Sequence, residues 1–174
     1  MKKRIQELDE NIILWVQENL RSDKMTPVIR LLTHLGDFGL IWISISMALI
    51  AMKKTRKTGL MSLASISLCF FINNMVLKNL VDRERPYDVV DDLDILIGRQ
   101  PDSSFPSGHA ANSLASAIVL YKMFEKKSGI SILFAGMIIA LSRVYVGVHY
   151  LSDVLVGISV GIISGLSVCK IAKK

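Results

Sequence analysis

Long apolar stretches alternate with short polar ones along this chain. The apolar stretches approach the length of about 20 residues that a helix needs to cross a bilayer. They fall at roughly 38–52, 59–80, 107–124, 129–147 and 149–170. Two of them, 59–80 and 149–170, would each make about 33 Å of helix, whereas 38–52 (FGLIWISISMALIAM) is short for a span. Residues 5–20 (IQELDENIILWVQENL) mix apolar and charged positions at helical spacing, which predicts an amphipathic helix in the interface. Gly36-Asp37-Phe38-Gly39 reads as the turn into the first span. A version in which residues 12–35 supply a sixth, broken span is equally open. The pattern therefore predicts an all-α integral membrane protein, a bundle of five to six transmembrane helices with an N-terminal amphipathic helix. No repeat, low-complexity tract or linker divides the sequence, so residues 1–174 read as a single domain, with 1–36 as N-terminal interfacial helices.

Composition agrees: 51% of the residues are hydrophobic and the mean hydropathy is +0.44, too apolar for a water-soluble domain of this size. The net charge of +6 raises a nucleic-acid partner, and the distribution of charge argues against one. The basic residues cluster between spans, as Lys53, Lys54, Arg56 and Lys57, then Lys122, Lys126 and Lys127, then Lys170, Lys173 and Lys174. The positive-inside rule places these three groups in the cytoplasm. Residues 81–105 then fall outside, and they carry seven acidic residues against three arginines. The turn at Gly36 would leave the N-terminus outside, whereas Met1-Lys2-Lys3-Arg4 favours the inside. The first 30 residues lack the pattern of a cleavable signal peptide, so a multi-pass protein of the plasma (inner) membrane is expected. Cys69 in mid-span and Cys169 near a span end argue against a disulfide, and neither has metal-site spacing.

Ionisable side chains beside apolar helices are expensive, and here they converge. Lys78 and Arg85-Pro86 flank the outer end of the second span, Pro106-Ser107-Gly108-His109 opens the third, and Ser142-Arg143, His149 and Asp153 cover the junction of the fourth and fifth. The expected topology puts all three groups on one side of the membrane. Arg85 and Arg143 offer forked donors that match phosphate oxygens, and Lys78 offers a point charge. Ser107 and the Gly108 N–H stand at a helix start, where unpaired N–H groups and the helix dipole favour an anion. His149 and Asp153, four residues apart, are expected on one helical face, so that Asp153 accepts from one ring nitrogen and aims the other at phosphorus. His109, amid cations at a helix start, is the expected general acid for the leaving oxygen.

These residues resemble the type 2 phosphatidic-acid phosphatase superfamily, whose signature has the form K-x6-RP, PSGH and SR-x5-H-x3-D. Every fixed position is present between residues 78 and 153: Lys78, Arg85, Pro86, Pro106, Ser107, Gly108, His109, Ser142, Arg143, His149 and Asp153. The resemblance implies a helical-bundle lipid phosphatase that needs no metal or cofactor and passes through a phosphohistidine. His149 would be the nucleophile, Asp153 its orienter and His109 the acid, with Lys78, Arg85, Ser107, Gly108 and Arg143 holding the phosphoryl oxygens. Some relatives are soluble vanadium haloperoxidases, a branch for which this chain is too short and apolar.

A site on the outer face suits a lipid head group better than a soluble sugar phosphate. The resemblance to small bacterial members points to undecaprenyl diphosphate, with phosphatidylglycerol phosphate and phosphatidic acid as competitors. A non-catalytic lipid-phosphate binder or translocator is the reading from another class; it would need the cations but not His149 and Asp153. Oligomeric state is not legible. Among the remaining features, Gly157, Gly161 and Gly165 form a small-residue ridge suited to close packing within the bundle. Asn73 and Asn74 suit hydrogen bonds to neighbouring helices, and His34 reads as structural.

Overall fold

The computed structural model describes residues 2–172; Met1, Lys173 and Lys174, counted above with the basic segments, lie outside the described residues. In chain order the elements are α1 (Lys2–Leu20), α2 (Met25–Leu35), a 3-10 turn (Asp37–Gly39), α3 (Leu40–Ala51), α4 (Arg56–Phe70), a π-helical segment (Phe71–Leu77), α5 (Lys78–Val81), α6 (Pro86–Val89), α7 (Gly108–Met123), α8 (Lys126–Tyr145) and α9 (Leu151–Ile171). The helix bounds fall within a few residues of the expected apolar stretches, and no strand occurs among the described residues.

Length and hydropathy qualify three segments as membrane spans: Arg56–Val89, Lys126–Tyr145 and Leu151–Ile171. The short stretch at 38–52 does not qualify alone. The pair Met25–Leu35 and Asp37–Ala51 passes the same test jointly, across a bend of 48°. Residues 12–35 do not form a span of their own, because 12–20 complete α1 and the helix restarts at Met25. α7 has only 16 residues. It is rich in Ala and Ser, and it packs against α9, α8, α4 and α3. A helix enclosed by other helices needs close approach more than an apolar coat.

Close approach is visible along α9. A Cβ on Gly157 would lie 2.5 Å from the Ser107 carbonyl oxygen, and Gly161 faces the carbonyl of Ala111 as tightly. The glycine ridge is therefore used inside the bundle, against α7. On the far side of α7, buried hydroxyls tie α3, α4 and α7 together: Ser46 Oγ to Ser62 Oγ at 2.7 Å, and Ser62 Oγ to Ser116 Oγ at 2.8 Å. Such interhelical bonds are worth about 0.6 kcal/mol each in a membrane protein. Phe71, Phe134, Leu155, Ile163 and Ile171 are exposed, the outward apolar surface that lipid requires.

α1 is more than an interfacial helix. It exposes Ile5, Leu8, Trp15 and Leu20, yet it buries Ile13 in the core beside Val144 and Val154 and also buries Asp9. At the opposite end of the bundle the basic segments converge. Lys57 Nζ donates to the Ala172 carbonyl at 3.1 Å, and Lys57, Lys122 and Lys170 line one cleft. The signature residues all lie at the other end, as the charge pattern and motif positions jointly required.

Candidate active site

A cavity of about 480 Å³ opens at that end. Lys78, Arg85, Gly108, His109, Arg143 and His149 line it, so six of the eight expected site residues share one space. They arrive on five different supports. Lys78 follows the π-helical segment, a helix irregularity common at functional sites. Asn73 Nδ2 ties that segment to the Pro106 carbonyl at 3.2 Å, a bond to the neighbouring segment as expected for this residue. Arg85 precedes Pro86 at the start of α6, His109 stands in the first turn of α7, and Arg143 ends α8.

The other two expected residues stand behind the cavity wall. The Ser107 oxygen caps α7, accepting from the Ala110 N–H at 3.4 Å, and Ser107 is not among the cavity-lining residues. Asp153 is fully buried.

The relation of His149 to Asp153 differs from the expected one. His149 lies before the N-cap of α9, not on its helical face, and its Nδ1 is 3.8 Å from Asp153 Oδ2, beyond hydrogen-bond reach. That oxygen is engaged by the Tyr150 backbone N–H at 3.0 Å, as a helix-start carboxylate commonly is. It also accepts from Ser104 Oγ at 2.6 Å, and Ser104 Oγ is 3.5 Å from His149 Nδ1. A serine hydroxyl thus lies beside both residues, bonded to the carboxylate and at the limit of reach of the ring. The other ring nitrogen, Nε2, faces Arg85 Nη1 at 3.4 Å and the cavity.

His149 is only 2% exposed. Burial, reinforced by the positive charges of Arg85, Arg143 and Lys78, holds its pKa well below the ordinary histidine value. The ring is therefore neutral at pH 7, with a free lone pair.

Asp153 Oδ1 accepts from Arg83 Nη1 at 2.6 Å. Arg83 also donates to Asp9 Oδ2 at 2.8 Å and Gln6 Oε1 at 2.5 Å, and its guanidinium lies 4.0 Å over the Tyr150 ring. The N-terminal helix is thereby wired to Asp153. The sequence offered one faint sign of this, a third arginine two residues before Arg85 in an acidic segment.

The cations are held differently from one another. Asp102 bridges two of them, with Oδ2 on Lys78 and Oδ1 2.6 Å from Arg85 Nη2. Burial alone would raise the Asp102 pKa, but Lys78, hydrogen-bonded to it, and Arg85 together hold it below the usual carboxylate value. Arg143 is 1% exposed. It donates to Thr33 Oγ1 at 2.9 Å and Gln100 Oε1 at 3.2 Å, its buried Nε has no hydrogen-bond partner, and no carboxylate pairs with it among the described residues. A buried guanidinium without a counter-ion is costly and calls for an anion.

His109, His34 and Asp37 complete the wall, with His109 Nε2 2.9 Å from Asp37 Oδ1. His34, read as structural from the sequence, lines the cavity and pairs with Asp37 as well.

Two buried or part-buried histidines and three cations thus converge on one cavity at the end of an apolar helical bundle. The family model described as the PAP2 superfamily matches residues 58–174, two-thirds of the chain, and the chain belongs to that superfamily. An undecaprenyl-diphosphatase of Sulfolobus acidocaldarius is 33% identical over 129 residues, which span 73% of this chain and 62% of that protein. The crystal structure of a transmembrane PAP2-type phosphatidylglycerolphosphate phosphatase from Bacillus subtilis is similar at a TM-score of 0.78 and 29% identity, covering 98% of this chain and 87% of that one. The crystal structure of Aquifex aeolicus LpxE has the same fold, with a TM-score of 0.82 at 24% identity over 92% of this chain and 93% of that one.

Proposed function

We propose that this chain is a metal-independent lipid phosphate phosphatase that works through a phosphohistidine at His149, with undecaprenyl diphosphate as its substrate at the extracytoplasmic face. The observation that carries this reading is a neutral, buried His149 whose Nε2 faces a cavity lined by Lys78, Arg85 and Arg143. Such a site meets both needs of phosphoryl transfer, a positioned nucleophile and fixed charge over the equatorial oxygens.

In the first half-reaction the Nε2 lone pair attacks phosphorus while the bond to the leaving oxygen breaks, and His109 gives that oxygen a proton. The Arg83-held carboxylate of Asp153, acting with Ser104, favours the cation that forms on His149. In the second half, water attacks the phosphohistidine and gives its proton to His109, and the P–N bond electrons return to Nε2. Lys78, Arg85, Arg143 and the N–H groups at the start of α7 hold the phosphoryl oxygens throughout. Ser107 contributes by capping that helix.

The choice of diphosphate is favoured by the archaeal relative's assigned substrate, and the outer face by the basic clusters at the opposite end of the bundle. Phosphatidylglycerol phosphate is the second reading, favoured by the near-complete overlap with the Bacillus subtilis enzyme. The test is phosphate release by the purified chain, in EDTA, from undecaprenyl diphosphate, phosphatidylglycerol phosphate and phosphatidic acid, with His149→Ala as control. Fastest release from the diphosphate is expected. Release from none of the three would favour a lipid-phosphate binder, and a strict metal requirement would sink the mechanism.

A further inference from the structure

The wall of the cavity that carries His109 is completed by a turn outside the family-matched region 58–174. Asp37 opens the 3-10 turn between α2 and α3, and its two oxygens each meet a histidine. Oδ1 is 2.9 Å from His109 Nε2, and Oδ2 is 2.9 Å from His34 Nδ1.

The turn is built onto the first turn of α7. A Cβ on Gly36 would lie 2.8 Å from His109 Cδ2 and 2.6 Å from Ile139 Cγ2, so the residue before Asp37 must be bare for the ring to lie against the turn. Directly after Asp37, Phe38 has φ 53, a left-handed conformation that bulky residues avoid, and its side chain is 87% exposed with no packing to explain the strain. Backbone strain of this kind persists where surrounding contacts over-determine it, and here the carboxylate between two histidines is such a contact. Asp37 is the carboxylate bonded to His109, in a cavity wall that also carries the guanidinium groups of Arg85 and Arg143.

We propose that Asp37 is a positioning residue for His109, fixing its tautomer and supporting its protonated form, with His34 anchoring the second carboxylate oxygen. This rests on His109 being the general acid. With Nε2 committed to Asp37, Nδ1 is the nitrogen that serves the reaction. It releases its proton to the leaving oxygen as the P–O bond breaks, and it takes one proton from water as the P–N bond is hydrolysed. The side chain of His34 is 54% exposed and that of His109 14%, so the three residues also form a path from bulk water to the acid.

The experiment compares leaving groups on the purified full chain. Phosphatidic acid expels an alkoxide that needs a proton, and a polyprenyl diphosphate expels a phosphate that needs it far less. His109→Ala should lower kcat on phosphatidic acid by about a hundredfold and on the diphosphate by about fivefold or less. Asp37→Asn should reproduce that bias at smaller size, about tenfold against about twofold, with KM unchanged on both. The double variant should lose no more than His109→Ala alone, because the two act as one unit.

Equal losses from Asp37→Asn on both substrates, or losses that multiply in the double variant, overturn the proposal while leaving the acid intact. Equal losses from His109→Ala remove the acid reading itself. Should Asp37→Asn fail to fold, His34→Ala decides: a loss of about threefold confined to phosphatidic acid supports the positioning role, and an unbiased loss refutes it.

Discussion

Two of the three histidines that line the cavity, His149 and His109, sit in different surroundings. His149 is sealed: 2% exposed, flanked by a fully buried Asp153, and supported by residues of α8, α9 and the segment before α7, all within the matched region 58–174. His109 shares its wall with a half-open turn whose Asp37 and His34 lie outside that region. The difference follows the chemistry assigned to each. A nucleophilic imidazole must stay unprotonated among cations, which burial secures. An acid that gives and regains a proton in every cycle needs a counter-charge and a route to water.

Five substitutions at four residues and one titration test this contrast. The largest effect belongs to the sealed half: His149→Ala should cut phosphate release by at least about 10³-fold on every substrate, and residual activity within tenfold of the parent would exclude a covalent intermediate at this residue. Arg83→Ala comes next. It strips the partner from two buried carboxylates, Asp9 and Asp153. A loss of about 10²-fold in kcat on all substrates is expected, together with about 3 kcal/mol of stability, read from kinetics and thermal unfolding in the same detergent. Arg83→Lys should recover part of the stability but little of the rate, since an ammonium cannot reproduce the fork.

His109→Ala is the first test of the open half, and unlike the previous two its cost should depend on the leaving group, as described above. A uniform loss would erase the distinction between the halves. Ser104→Ala removes the hydroxyl that contacts both His149 and Asp153 and should lower kcat by about tenfold, again without regard to leaving group. The smallest effect is a displacement of the pH profile. The active His149 is neutral and its pKa is lowered, so kcat/KM should hold as pH falls through the ordinary histidine value and drop only when the pH passes the lowered one. An acid limb at the ordinary value would mean that His149 is not buried among cations during turnover.

Much of the site was legible because its spacing is dictated locally. Lys78 and Arg85, the Pro106–His109 helix start, and Arg143 with His149 each hold a fixed relation to a span end, so hydropathy and loop charge sufficed to place them together. The expected His149–Asp153 bond failed because periodicity applies only within a helix, and His149 lies outside α9. Ser104 reaches both residues from a loop more than 40 positions away, which no spacing rule anticipates. Arg83, Asp9, Gln6 and Asp102 escaped for the same reason. Each acts through partners distant in sequence, and in isolation each reads as an ordinary polar residue near an interface.

By itself, then, the sequence determined the all-helical membrane character, the end of the bundle at which the motif residues gather, and six of the residues that line the cavity. Those properties depend on hydropathy, charge and short-range helical geometry, which are written residue by residue. The tertiary structure alone decided that α1 reaches Asp153 through Arg83, that α2 and α3 meet at a 48° bend, and that the turn at this bend places Asp37 on His109. These are contacts between elements distant in sequence, which form only when the helices pack, with α9 held close to α7 by its glycines.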